Sequence, residues 1–263
     1  MPLANAPWKA LFVSHLEHVG SSTEFALATV GKDGAPRVRY CVHRGFWADL
    51  PENPYNKLPR NAAIYDSDCP IFTTDARMNK VAEIFASSAQ DGGSGSGSGG
   101  GGQVETVYLF KDVMVQWRIR GRCWFLAADD LQNSAVEQNS AVATVKAEVG
   151  RFMRQRRADL QPDAWSWLLE VQNVFENLRP GMRGTFKSPP PGLPIGEGQG
   201  GPGEDSGQEA GHLKDEPLAR KNFRVAIITP DQVEKVDLSN PDKRKRFVWT
   251  RNEDGWTTVE TTA

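Results

Sequence analysis

Cysteine is scarce in this chain: Cys41, Cys69 and Cys123 are the only three in 263 residues. An odd number with no Cys-x-x-Cys spacing argues against a disulfide framework and a thiolate zinc site, and points to a reducing compartment. Histidine is nearly as rare, at four. His15 and His18 have no second metal-ligand group at useful spacing, so both read as packed or surface rings. No apolar run approaches the roughly 20 residues that span a bilayer, and the opening Met1 to Trp8 is not a basic-then-apolar leader. Charge of one sign is missing as well. With 31 Lys and Arg against 33 Asp and Glu, the net charge is -2, which gives no global attraction to nucleic acid or an anionic membrane, so any basic site is local. The expectation is a soluble, cytoplasmic protein whose partner is a small molecule.

The 39% hydrophobic content suffices for one domain over residues 1–263, interrupted by flexible low-complexity loops at about 90–102 and 188–215. Trp8, Leu11, Phe12, His15, Leu16 and Val19 recur at the spacing of one helix face, with Pro7 before them and Gly20 as the stop. Phe25 to Val30 and Arg37 to Arg44 read as a hairpin around Gly31-Lys-Asp-Gly34. In its second strand Val38, Tyr40 and Val42 point one way and Arg37, Arg39, Cys41 and His43 the other. Arg39 therefore sits on an open sheet face or holds a charged ligand; pattern alone leaves both open. Gly45 to Pro70 is a proline-rich loop with a short strand at Asn61 to Tyr65.

Val104 to Phe110 and Val113 to Leu126 form the next hairpin, with Gln116, Arg118, Arg120 and Arg122 on one face: a solvated side with cross-strand ion pairs, or a functional one. Ala135 to Arg157 and Pro162 to Leu178 read as two helices. The run Arg151, Arg154, Arg156 and Arg157 on the first reads as a solvated helix face in preference to a phosphate or RNA site, since no aromatic platform accompanies it. Phe223 to Thr229, Arg246 to Arg251 and Trp256 to Val259 supply closing strands, separated by Pro230 and by Asn252 to Gly255. The total is a mainly antiparallel β-barrel decorated by helices.

Between these lies Ile71 to Phe85, where a strand hands over to a helix. Asp75 stands as N-cap ahead of Met78, Val81, Ala82 and Phe85 at helical spacing. Hydroxyls of Thr73 and Thr74, helix N-terminal amides, and Arg77, Asn79 and Lys80 fall within a few residues, the ingredients of a phosphate site. An ordinary capped helix with solvated charges is the competing reading.

Taken in register, Gly34 to Arg44, Phe72 to Lys80, Val115 to Gly121 and Arg246 to Trp249 with Asp254 to Trp256 resemble the FMN-binding split-barrel superfamily, in the branch similar to pyridoxamine 5'-phosphate oxidase. Met182 to Gly192 looks like a further marker of a branch of FMN-binding domain proteins. The resemblance implies an antiparallel split β-barrel and a homodimer with FMN in a cleft between subunits. It implies that Arg39 and Lys80 hold the FMN phosphate, that Thr73, Thr74 and Asn79 add hydrogen bonds, that Gln116 meets the isoalloxazine edge, and that Arg246 is a late flavin contact. Arg44 stands where the oxidase has a lysine, with strand parity opposite to Arg39. The oxidase's Arg-x-His substrate pair falls on Asp242 and Arg244, and its flavin-packing tryptophan on Val236. The expected function is an FMN-dependent oxidoreductase with an altered substrate site. A flavin-binding or storage module is the alternative, and a genuine pyridoxamine phosphate oxidase stands third.

Overall fold

The computed structural model describes residues 5–18, 24–88, 95, 97–132, 140–157, 159–194, 216–240, 242, 244–253 and 255–262. Expectations for Val19, Gly20, residues 135–139 and residues 195–215 lie outside the described residues. In chain order the strands are β1 (Glu24–Val30), β2 (Pro36–Val42), β3 (Tyr65–Ser67), β4 (Ile71–Asp75), β5 (Gly99–Phe110), β6 (Val115–Leu126), β7 (Met153–Gln155), β8 (Phe223–Asp237), β9 (Lys245–Asn252) and β10 (Gly255–Thr262). The helices are α1 (Lys9–His18), α2 (Asn79–Ala86), α3 (Ala128–Gln132), α4 (Ser140–Gly150), α5 (Trp167–Glu176), α6 (Pro180–Thr185) and α7 (Glu216–Asn222). Among the described residues no helix is long and apolar enough to cross a membrane.

The main sheet is antiparallel throughout, in the order β10-β9-β8-β6-β5-β1-β2, and β4 pairs with the first part of β8. The sheet curls without closing. Just past the end of β2, the Arg44 amide donates to Ile71 O and the Ile71 amide to Gly45 O, both at 2.9 Å, so the chain after β2 reaches β4. Strand alternation gives the sheet a dry inner face: Phe25, Leu27, Cys41, Tyr108, Trp117, Ile119 and Trp249 pack with Trp8 and Phe12 of the N-terminal segment into one core. A second core, with Trp47, Ile71, Trp124, Val145, Phe175 and Phe223, lies under α4 and α5. Strand β8 serves both. Ala226 and Ile228 belong to the first core and Val225 and Ile227 to the second, so it reads as an unbroken apolar run rather than an alternating one.

Four expectations are corrected. The Gly/Ser linker does not extend to Gly102, because β5 begins at Gly99. Its glycines are there for proximity: a Cβ on Gly102 would lie 2.1 Å from Ile84 O of α2, and Gly101, at φ +91°, lies against the Trp124 ring. Pro230 does not end its strand. β8 runs through it, and the missing amide is accommodated where the β6–β8 register shifts between Arg120 and Gly121, opposite Pro230. The short strand expected at Asn61 to Tyr65 forms instead at Tyr65–Ser67, pairing with β7. That pairing overturns the reading of Arg154 as part of a solvated helix face. Arg154 lies on β7, is buried, and donates to Asp66 at 3.1 Å and to both oxygens of Asp68, one at 2.7 Å.

Two predictions follow from this packing. Gly102→Ala forces α2 away from β5 and is expected to cost about 2 kcal/mol or more, the scale of overpacking; urea unfolding checks it, and unchanged stability would contradict the close approach. Arg154→Ala removes the guanidinium from buried Asp68 and leaves Asp66 with Arg156 alone, and is expected to cost about 3 kcal/mol or more, read from the same measurement, with a loss near zero as the contrary result.

Candidate functional site

The strand-to-helix handover is built differently from a capped helix. Helix α2 starts at Asn79, after Met78 in extended backbone with no side-chain cap. Asp75 is instead the last residue of β4, and its carboxylate accepts hydrogen bonds from the Arg77 amide and Nε, each at 2.8 Å, and from Arg77 Nη2 at 2.6 Å. This clamp fixes the turn that aims α2. Alternation along β4 places Phe72 and Thr74 toward the first core and Ile71, Thr73 and Asp75 on the other face. Helix α2 buries Val81 and Ile84, which brings Lys80 and Glu83, one turn apart, over the end of the inner sheet face.

Lys80 is the unusual group. Its ammonium donates to Thr74 Oγ1 at 3.2 Å and touches Met78 Sδ, and among the described residues no carboxylate forms an ion pair with it. Burial lowers its pKa, and the positive charge of Arg39 acts in the same direction. Arg39 reaches the same region from β2, beside Cys41, whose thiol pKa is raised by burial against the opposing pull of Lys80 and Arg39. Arg39 is already partnered: Nη2 donates to Glu83 Oε2 at 2.6 Å, and Nη1 to Thr29 Oγ1 and to Leu27 O at 3.4 Å. Thr29 Oγ1 in turn donates to Glu83 Oε2 at 2.5 Å. Two cations and one carboxylate therefore leave a local positive charge, with a hydroxyl beside it. A half-buried ammonium with no carboxylate ion pair among the described residues, a guanidinium and a hydroxyl are the donor set a phosphate dianion fits.

The structure thus brings together Arg39, Thr74 and Lys80 of the expected residues. Asn79 is exposed at the first turn of α2. Thr73 faces away, toward the second core. Arg44 lines a different hollow of about 530 Å³, with His43, Phe46, Val13 and Val174, and its buried Nε has no hydrogen-bond partner. Burial, together with the Arg44 charge, pushes the His43 pKa down to about 3, so that ring is neutral. Gln116 and Arg246 lie on the outer face of the sheet, in one transverse row with Leu109 and Val236. On that face Arg118 pairs with Glu105 at 2.6 Å, Arg120 with Asp231 at 3.1 Å, and Arg246 with Glu234 at 2.5 Å, so cross-strand ion pairs account for much of its arginine content. Sequence reading missed Glu83 and Thr29. Glu83 was within reach of it, three residues after Lys80 on the same helix face; Thr29 was not, because its role depends on strand pairing.

Residues 5–127 match the family described as pyridoxamine 5'-phosphate oxidase, FMN-binding domain. No curated protein matches the chain. Among solved structures, a pyridoxamine 5'-phosphate oxidase-related, FMN binding protein from Nostoc punctiforme is 18% identical, covering 99% of this chain and 100% of its own, with a TM-score of 0.59. PhzG from Burkholderia lata, solved with tetrahydrophenazine-1-carboxylic acid, is 13% identical over 99% of this chain and 94% of its own, with a TM-score of 0.45. The Nostoc likeness is one of fold and runs the length of the chain. The matched span contains β1, β2, β4, α2, β5 and β6, and with them Arg39, Thr74, Lys80 and Glu83. Residues 5–127 are thus similar to the pyridoxamine 5'-phosphate oxidase, FMN-binding domain family, and the chain as a whole has a mainly antiparallel, split-barrel-like fold like that of the Nostoc protein.

Proposed function

We propose that this protein holds FMN in a site shared between two copies of the chain and acts as an FMN-dependent oxidoreductase on a small molecule other than a B6 vitamer. The observation that carries the reading is Lys80, a partly buried ammonium that hydrogen-bonds to a hydroxyl and touches a thioether and, among the described residues, forms no ion pair with a carboxylate, where an anion is the fitting partner. Arg39, Lys80 and Thr74 grip the phosphate, and Asn79 adds an amide at the rim. Thr73 is left out because it faces away, and Arg44 because it lines a separate hollow.

The two-copy arrangement accounts for the residues on the outer face. Gln116 and Arg246 cannot join Arg39 within one chain, since the sheet lies between them, but a partner copy can present them to the ring of a flavin anchored at Lys80. That face also carries Val38 at 71%, Tyr40 at 79%, Leu109 at 52% and Val259 at 56% exposure, apolar surface suited to burial against a second copy. When bound, the flavin supplies the hydride or electron acceptor, so no protein nucleophile is called for. The chain's own tasks are to anchor the phosphate, hydrogen-bond the polar edge of the ring and shield the site from water. The three cysteines are unpaired and buried, which suits a reducing, cytoplasmic setting.

A second reading, a flavin-holding module without turnover, is favoured by Asp242 and Arg244 at the positions where the resemblance places a substrate-gripping Arg-x-His pair.

Purified protein incubated with FMN is expected to turn yellow and to show a flavin absorbance band; no band would refute the site. Lys80→Ala is expected to weaken FMN binding by about 1.5–3 kcal/mol, the worth of a charged hydrogen bond, and equal affinity in a fluorescence titration would mean the phosphate lies elsewhere. Assayed with pyridoxine and pyridoxamine phosphates, the holoprotein is expected to consume no oxygen; steady turnover would restore oxidase activity toward the vitamin.

A further inference from the structure

Resting on that flavin reading, we propose that Glu83 is an internal stand-in for the ligand's phosphate: a carboxylate that occupies Arg39 and must yield before a doubly charged anion can engage Arg39 and Lys80 together. Glu83 is thereby the residue that sets which anions the site accepts.

Lys80 and Glu83 share a face of α2 at i, i+3 spacing, where opposite charges ordinarily meet. Here they do not. Lys80 turns to Thr74, while Glu83 Oε2 accepts from Arg39 Nη2 at 2.6 Å and from Thr29 Oγ1 at 2.5 Å. The Arg39 and Glu83 side chains are only 23% and 12% exposed, so this is a sheltered contact and not a solvated surface pair.

The guanidinium fork shows the consequence. An arginine grips a phosphate through two parallel N–H groups, from the Nη pair or from Nε with Nη2. Both Nη atoms of Arg39 are committed, Nη1 to Thr29 Oγ1 and Leu27 O and Nη2 to Glu83. Either edge of the fork therefore runs through a bond that a ligand has to displace. Charge leads to the same place. Arg39, Lys80 and Glu83 sum to one positive charge; a phosphate dianion added with Glu83 in position makes the cluster net negative in a sheltered site, whereas release of Glu83 toward water leaves two cations facing two negative charges.

Selectivity follows. A singly charged acid can neutralise Lys80 with Glu83 left on Arg39, and gains nothing by displacing it. A dianion gains Arg39 and Lys80 together when Glu83 yields. The site thus ranks phosphate monoesters above singly charged acids to the extent that Glu83 is released.

The test is FMN titration of the wild type, Glu83→Gln and Thr29→Val by flavin fluorescence, with thermal melting to show that each variant is folded. Glu83→Gln keeps an acceptor for Thr29 and Arg39 but loses the charge, and is expected to bind FMN about 10-fold more tightly, the scale of one charged hydrogen bond. Thr29→Val leaves the carboxylate in place but removes the hydroxyl that holds it, and is expected to tighten binding by a smaller factor. If the wild type binds FMN and both variants bind it equally or more weakly, Glu83 orients Arg39 instead of opposing the ligand, and this inference falls while the flavin site stands. If neither the wild type nor either variant binds FMN, the flavin reading falls and takes this inference with it.

Discussion

One half-buried positive charge organises the molecule's candidate chemistry. The Lys80 ammonium is drawn away from water against the opposing influence of burial and Arg39, and its hydrogen-bond partner is a neutral threonine. Keeping it there takes several separate structural devices. Asp75 clamps the turn through Arg77, so that α2 leaves β4 in a fixed direction. Gly102 has no side chain, so α2 can lie directly on β5. Val81 and Ile84 anchor the helix in the barrel core. A lysine at the same position on a looser helix would swing out to solvent and lose its demand for an anion.

The sheet gives the site its second property, two faces with different chemistry. Its inner face is aromatic and aliphatic up to the end where Arg39, Cys41 and Thr29 sit beneath α2. Its outer face alternates arginine with glutamate, and several of its cations are neutralised across strands by Glu105, Asp231 and Glu234. Gln116 stands on the same face next to exposed Leu109. The division places Gln116 and Arg246 on the opposite side of the sheet from Arg39, and exposed Val38, Tyr40, Leu109 and Val259 on the same outer face as Gln116.

Much of this was legible in the sequence where local chemistry agreed with the fold. The Gly31 to Gly34 turn, the alternation along β2 and β6, and a helix after Trp8 that buries Phe12 all reappear, because each is set by residues adjacent in the chain, although Leu11 of the expected stripe is exposed. The failures share a cause. Gly99 to Gly102 have the composition of a linker, yet their lack of side chains serves the approach of α2 and Trp124, neighbours that composition does not reveal. Pro230 signals a strand end unless a register shift on the facing strand absorbs it. Arg154 looks solvated until Asp66 and Asp68 arrive from nearly 90 residues away. Asp75 has the identity of a cap, but Arg77 outcompetes the helix amides for its carboxylate. In the candidate site, residue type and position single out Lys80 and leave Arg39 open, and the family resemblance is what joins the two, whereas the Glu83 and Thr29 contacts appear only once β1, β2 and α2 are folded together.

The central claim is that the site is built for a phosphate more than for a ring. The most direct measurement is equilibrium binding of FMN and of riboflavin to the wild-type protein, two ligands with the same isoalloxazine and only one with the dianion. The account predicts FMN to bind at least about 100-fold more tightly, the combined worth of two charged contacts. Equal affinities would contradict it.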